Sequence, residues 1–87
     1  MNKYQKTPDY IIDLHGRNKR EAEILLDSLF SVNLYPHIRI VTGKGNHGNN
    51  GAVIRTYVKE YLNERDIRFN QSKIEDGGEG ALEVFAD

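Results

Sequence analysis

The sequence predicts an α/β fold of two layers, with two helices on one face of a four-stranded sheet in the order β-α-β-α-β-β. Two stretches repeat apolar residues at helical spacing, while four short stretches are β-branched or alternating and are bounded by turn residues. Each helical stretch falls between two strands, and the last two strands follow one another across a glycine-rich turn. At 87 residues the chain has room for one core, burying roughly 60% of the surface its unfolded form exposes. Residues 1–9 form a polar extension and 10–87 the domain.

The first strand is Tyr10 to His15, YIIDLH, which Gly16 ends. Its period of two sets Ile12 and Leu14 on one face, with Asp13 and His15 on the other. Asn18 followed by Glu21 is a capping-box signal, and Ala22, Leu25, Leu26, Leu29 and Phe30 then mark one helical face. The helix stops near Asn33, which tolerates a left-handed cap, and Pro36 forbids its continuation. Ile38 to Thr42 is the second strand and runs into the stretch Gly43 to Gly51. The second helix, with Asn50 as N-cap, carries Ile54, Tyr57, Val58, Tyr61 and Leu62 at helical spacing and ends around Glu64. Ile67 to Ile74 is the third strand, Asp76 to Gly80 a turn, and Ala81 to Ala86 the fourth strand, with Leu82 and Val84 facing one way.

A β-α-β crossover is right-handed and leaves its strands parallel, so the first three strands should all point the same way. The loops 16–18, 43–51 and 75–80 then emerge together at the carboxyl edge of the sheet, where open α/β folds hold ligands. The two helices cover one face, leaving Asp13, His15 and Arg39 on the more open side.

Composition narrows the function. With no cysteine there is neither a disulfide framework nor a thiolate metal site, and a cytoplasmic setting is expected. Neither a signal-peptide pattern nor a membrane-length apolar run is present, so no membrane partner is expected. Twelve Lys and Arg against 13 Asp and Glu give a net charge of −1, so any nucleic-acid binding must come from a local patch.

Two constellations carry chemistry. Asp13 and His15, on alternate positions at a strand end, aim a carboxylate and an imidazole into one space. The carboxylate orients the ring or holds a divalent cation such as Mg2+, and the ring moves a proton. The plain reading is that Asp13 caps the turn and His15 is a surface residue. The loop GKGNHGNNG combines backbone amides at a helix start with Lys44, a phosphate-binding arrangement, and His47 sits within reach of a bound phosphate or leaving group. Its plain reading is a connector that needs glycine's backbone freedom. Gly43, Gly45 and Gly48 also spell the dinucleotide fingerprint, but the chain is too short for a doubly wound domain. A Walker A site fails because Asn49 and Asn50 stand where Lys and Ser or Thr are required. Arg17, Lys19, Arg20, Lys44 and Arg39 lie near the proposed site, with Glu75, Asp76 and Glu79 facing them. For Lys19, Arg20, Arg55 and Lys59 a solvated helix face is the simpler account. Tyr35, Tyr57 and Tyr61 have rings that could stack bases, although the last two lie on the core stripe. His37 has no assigned role.

The run IIDLHGRNKREAEILLDSL resembles the opening of an Smr domain, the small MutS-related family, whose signature is L-D-x-H-G followed by a helix. IRIVTGKGNHGNNGAVIRTYVKEYL is similar to the second family signature, T-G-x-G, in a version with an extended loop, and GGEGALEVF resembles the family's G-G-x-G-A and final strand. Together they cover residues 10–86 in order. The resemblance implies a mixed four-stranded sheet like that of the C-terminal domain of translation initiation factor three. It also implies endonuclease or nicking activity on RNA or DNA, and in some relatives action at the ribosome. The first signature maps onto Asp13, Leu14, His15 and Gly16, the second onto Thr42, Gly43, Lys44 and Gly45. Ile12 stands where the family usually has Leu, and Gly48 where extended-loop relatives often have Ser.

The expectation is therefore a phosphodiester-cleaving enzyme. Asp13, His15 and Lys44 are its catalytic residues, with Asp13 the ligand of any metal. Gly16, Arg17, Arg20, Thr42, Gly43, Gly45 and His47 bind the nucleic acid or its phosphate. The rival from another class is a non-catalytic module that binds nucleic acid or the ribosome through the same edge. Free-nucleotide binding at the glycine loop is a third reading.

Overall fold

A computed structural model of the chain describes residues 7–43, 50–73 and 78–85. It contains β1 (Tyr10–Asp13), α1 (Lys19–Val32), β2 (His37–Val41), α2 (Asn50–Glu64), β3 (Arg68–Gln71), a short 3-10 turn (Gly78–Gly80) and β4 (Ala81–Phe85). The expected order β-α-β-α-β-β is present.

Local chemistry sets the ends of these elements. The Asn18 side chain accepts from the Glu21 N–H at 2.8 Å and the Glu21 carboxylate accepts from the Asn18 N–H at 3.1 Å, which closes the capping box on α1. Asn33 ends α1 in the left-handed region at φ 51°. Asp66, also left-handed at φ 57°, reverses the chain after α2, and the Ile67 N–H returns to Leu62 O at 2.9 Å. β1 is shorter than expected and stops at Asp13, because the Asp13 carboxylate captures the His15 N–H at 3.0 Å and bends the chain toward Gly16, φ 80°. β3 likewise starts one residue later than expected and ends at Gln71. Residues 74–77 and 86–87, which fall within the expected third strand, turn and fourth strand, lie outside the described residues.

The sheet order is β1-β2-β4-β3, with β1 parallel to β2 and β4 antiparallel to both of its neighbours. β1, β2 and β3 thus point the same way, as right-handed crossovers require. The crossover from β2 through α2 skips one strand position, and β4 fills it as the return arm of the connection from β3. β2 and β4 are the two interior strands, and of these β4 is the more buried, with Ala81, Leu82 and Val84 at most 1% exposed.

Leu14, Ile38, Ile40, Leu82 and Val84 meet Ala22, Leu26, Ile54, Val58 and Leu62 of the helices in one core. Tyr61 closes the seam between the helices. Its ring is buried, its hydroxyl donates to Asp27 at 2.6 Å, and the Arg65 guanidinium lies 3.6 Å over its face. Burial, with help from Asp27, pushes this phenol well up, so it stays a neutral donor. The core-stripe reading of Tyr61 holds.

The opposite sheet face is polar and internally paired. The register aligns Ile11, Arg39, Glu83 and Asn70 in one row across the four strands. Glu83 accepts from Arg39 Nε at 2.6 Å and from the Ser72 hydroxyl, and its other oxygen lies 2.5 Å from His37 Nε2. His37 also stacks on Phe85 with centroids 5.0 Å apart, so a residue with no assigned role turns out to brace this face. Arg39, expected near the site, is committed to Glu83 in mid-sheet.

Burial pushes the Glu83 carboxyl up, but hydrogen bonds from Ser72, Arg39 and His37 outweigh it and hold the group below its ordinary value. A carboxyl depressed in this way adds stability above its unfolded value, about 4.3. That contribution disappears as pH falls through the lower folded value. Glu83→Gln is expected to cost about 2 kcal/mol near neutrality, and its melting temperature should approach wild type as pH falls below that range. An equal gap at neutral and strongly acid pH would refute this. Leu26→Ala, emptying a fully buried position, should cost about 3 kcal/mol in chemical denaturation.

Candidate functional site at the carboxyl edge of the sheet

Because β1 and β2 run parallel and in register, with Asp13 opposite Val41, they end together. The pairing continues one step further, where the Leu14 N–H donates to Val41 O at 2.7 Å. Neighbouring strands lie about 4.8 Å apart, so Asp13 at the end of β1 and His15 just past it lie beside Thr42 and Gly43, which follow β2. The antiparallel return from β3 brings Gly80 to this edge as well, and the Thr42 and Gly43 N–H groups both donate to Gly80 O, at 2.8 and 3.1 Å.

Asp13 and His15 form a closed unit. One carboxylate oxygen, Oδ1, accepts the His15 backbone N–H at 3.0 Å and lies 2.9 Å from the ring Nδ1. In the neutral ring this fixes the proton on Nδ1 and leaves Nε2 with a free lone pair. The hydrogen bond to the His15 ring, then that to its backbone, lower the Asp13 pKa, and Arg17 adds attraction. Both side chains are open to solvent, 70% exposed for His15 and 56% for Asp13, so a large substrate can reach them.

The remaining expected residues divide by what they touch. Gly16 takes the positive φ that turns the chain, and the Arg17 N–H closes that turn on Leu14 O at 3.0 Å. Arg17 and Arg20 are exposed beside the turn. Thr42 is fully buried. Its hydroxyl and N–H and the Gly43 N–H are directed at the Gly80 and Gly43 carbonyls, and Gly43 sits at φ 85°. These two residues thus set the direction in which the chain leaves β2, and their amides are already engaged. Lys44, Gly45 and His47 lie outside the described residues, as do Glu75, Asp76 and the side chain of Asn50.

Gly80 is the participant that sequence reasoning missed. The segment Asp76 to Gly80 reads as a turn, and nothing in its composition says that its last carbonyl will receive the end of another strand.

The two helix starts at this edge differ. The capping box of α1 uses its own amides and places the Glu21 carboxylate in the first turn, which repels an anion. α2 has no acidic residue in its first turn and follows the glycine loop, so it is the helix start suited to phosphate. Among the described residues no group of three or more His, Cys, Asp or Glu is arranged to hold a metal ion. Asp13 is a single carboxylate with one oxygen already serving His15.

Comparison with known proteins agrees with this fold. The family model of the Smr domain matches residues 12–87. The solution structure of the Smr domain of NEDD4-binding protein 2 superposes with a TM-score of 0.70 at 29% identity, covering 88% of this chain and 84% of that one. A crystal structure of a human small-MutS related domain gives 0.68 at 29% identity, covering 87% and 99%. YdaL, a stand-alone small MutS-related protein from Escherichia coli, gives 0.71 at 21% identity over 90% and 67%, a likeness of fold. An uncharacterized protein of Treponema pallidum (strain Nichols) is 40% identical over 58 residues, which is 63% of this chain and 29% of the relative's length. With its two signature segments closing on one edge of the expected sheet, the chain belongs to the Smr domain family.

Proposed function

We propose that the chain is an endonuclease that cleaves the phosphodiester backbone of RNA, with His15 moving the proton. The family is associated with nucleic-acid binding and, in some members, with nuclease activity. The observation that carries the reading is the Asp13–His15 pair, in which the Nδ1 contact to the carboxylate leaves Nε2 as an exposed proton acceptor beside the end of β2.

Nε2 takes the proton of the ribose 2'-hydroxyl, and the 2'-oxygen attacks phosphorus while the bond to the 5'-oxygen breaks. The products are a 2',3'-cyclic phosphate and a 5'-oxygen that takes up a proton. Asp13 stabilises the imidazolium that forms, since its pKa is held below the ordinary range and it remains an anion. Lys44 and the loop amides beyond Gly43 hold the phosphate, and His47 serves the leaving oxygen. Arg17 and Arg20 position the neighbouring backbone. A Mg2+ ion would supply charge stabilisation at the phosphate, but the single carboxylate is shared with His15 and the proposed steps run without it.

A second reading is a module that binds nucleic acid or a ribosomal surface without cutting it. The net charge of −1 favours it, and such a module would bind equally well as His15→Ala and never nick its ligand.

His15→Ala should reduce cleavage of labelled RNA by about 10²- to 10⁴-fold, with melting temperature unchanged because the side chain is exposed. Wild-type cleavage should survive chelator and leave cyclic phosphate ends, while DNA of the same sequence stays intact. Loss of activity in chelator, or ends without a cyclic phosphate, would overturn the mechanism. Arg17→Ala and Arg20→Ala should each flatten the dependence of log binding constant on log salt by about 0.7 for single strands, measured by fluorescence anisotropy.

A further inference from the structure

Beside the catalytic edge, on the helical side, a groove of about 360 Å³ lies between α1 and α2. α2 contributes Ala52, Val53, Thr56, Tyr57 and Glu60, which fall on one flank of the helix, and α1 contributes its first residue, Lys19. Both helices begin at the edge where the strands end, and Lys19, at the lip of the groove, follows His15 by four residues in the chain.

The chemistry of its walls is specific in kind. Ala52 and Val53 are aliphatic, and Val53 is 47% exposed. Tyr57 offers a half-buried ring, tilted 55° to that of Tyr61 with centroids 6.3 Å apart. Thr56 brings a hydroxyl and Glu60 an acceptor at the rim. Lys19, flanked in sequence by Arg17 and Arg20, puts positive charge at the lip. The complementary ligand is a flat ring with apolar faces and N–H donors on its rim, tethered to a phosphate.

We infer that this groove receives one unpaired, amino-bearing nucleobase of the strand whose phosphate lies at the His15 edge, with Tyr57 as the stacking surface, Glu60 as the acceptor and Lys19 on the flanking phosphate. A base in an A-form duplex is stacked and paired, with its faces covered, and cannot enter. The site therefore selects single-stranded substrate. The placement of the phosphate rests on the proposed function, while the groove itself does not.

The experiment uses the full chain carrying His15→Ala, 15N-labelled, titrated with a short single-stranded RNA, the same RNA with one abasic nucleotide, and a blunt duplex. Amide shifts are expected at Val53, Thr56 and Tyr57 with the single strand, and affinity should fall about tenfold for the abasic strand and the duplex. Val53→Glu, at an exposed position, should weaken single-strand binding by a similar factor and raise KM for cleavage without changing kcat or melting temperature. Equal affinity for intact and abasic strands, or unchanged binding by Val53→Glu, would overturn the inference while leaving the nuclease reading intact. Groove shifts that track protein concentration without RNA would also overturn it, in favour of a second copy as the occupant. Groove binding by a wild-type chain that never cuts would leave the inference standing and remove the nuclease reading.

Discussion

The parallel pairing of β1 with β2 is the constraint on which the site depends. Asp13 faces Val41 across the pair, and the Leu14 N–H reaches one step beyond the strand to Val41 O. A slip of one residue would send Leu14 to solvent and the Asp13 side chain into the core, because the side-chain period of a strand is two. The buried positions of Ile38, Ile40 and Leu14 hold the register, so the hydrophobic core and the placement of the polar pair are one problem with one solution.

Outside that pair, the site is supported by connections that do no chemistry. Gly80 carries the end of β2 on its carbonyl, so the β3–β4 connection and the start of the glycine loop are tied together. Thr42 illustrates the division of labour, since a residue at a signature position is buried and spends its donors on neighbouring carbonyls rather than on a ligand. On the open face Glu83 gathers Arg39, His37 and Ser72, which neutralises a carboxylate set among β-strand side chains and keeps β4 aligned with both neighbours.

Two helix starts at one edge give the site a polarity. α1 satisfies its own N-terminus and adds a negative group, whereas α2 brings no acid to its first turn. Arg17, Lys19 and Arg20 lie on the turn and first residues of α1, beside this edge. A net charge of −1 fits a protein that engages few phosphates.

The sequence by itself determined what depends on near neighbours. The helical spacing of Ala22 to Phe30, the Asn18–Glu21 box and the left-handed Asn33 were legible because capping and amphipathic faces involve residues within one or two turns. The Asp13–His15 pair was legible for the same reason, being two residues apart in the chain. Only the tertiary structure decided the insertion of β4 between β2 and β3, the Gly80 clasp on Thr42 and Gly43, and the commitment of Arg39 and His37 to Glu83. Each joins residues about 40 positions apart in the chain, and such pairings are chosen by how strands stack side by side, a matter on which local propensity is silent.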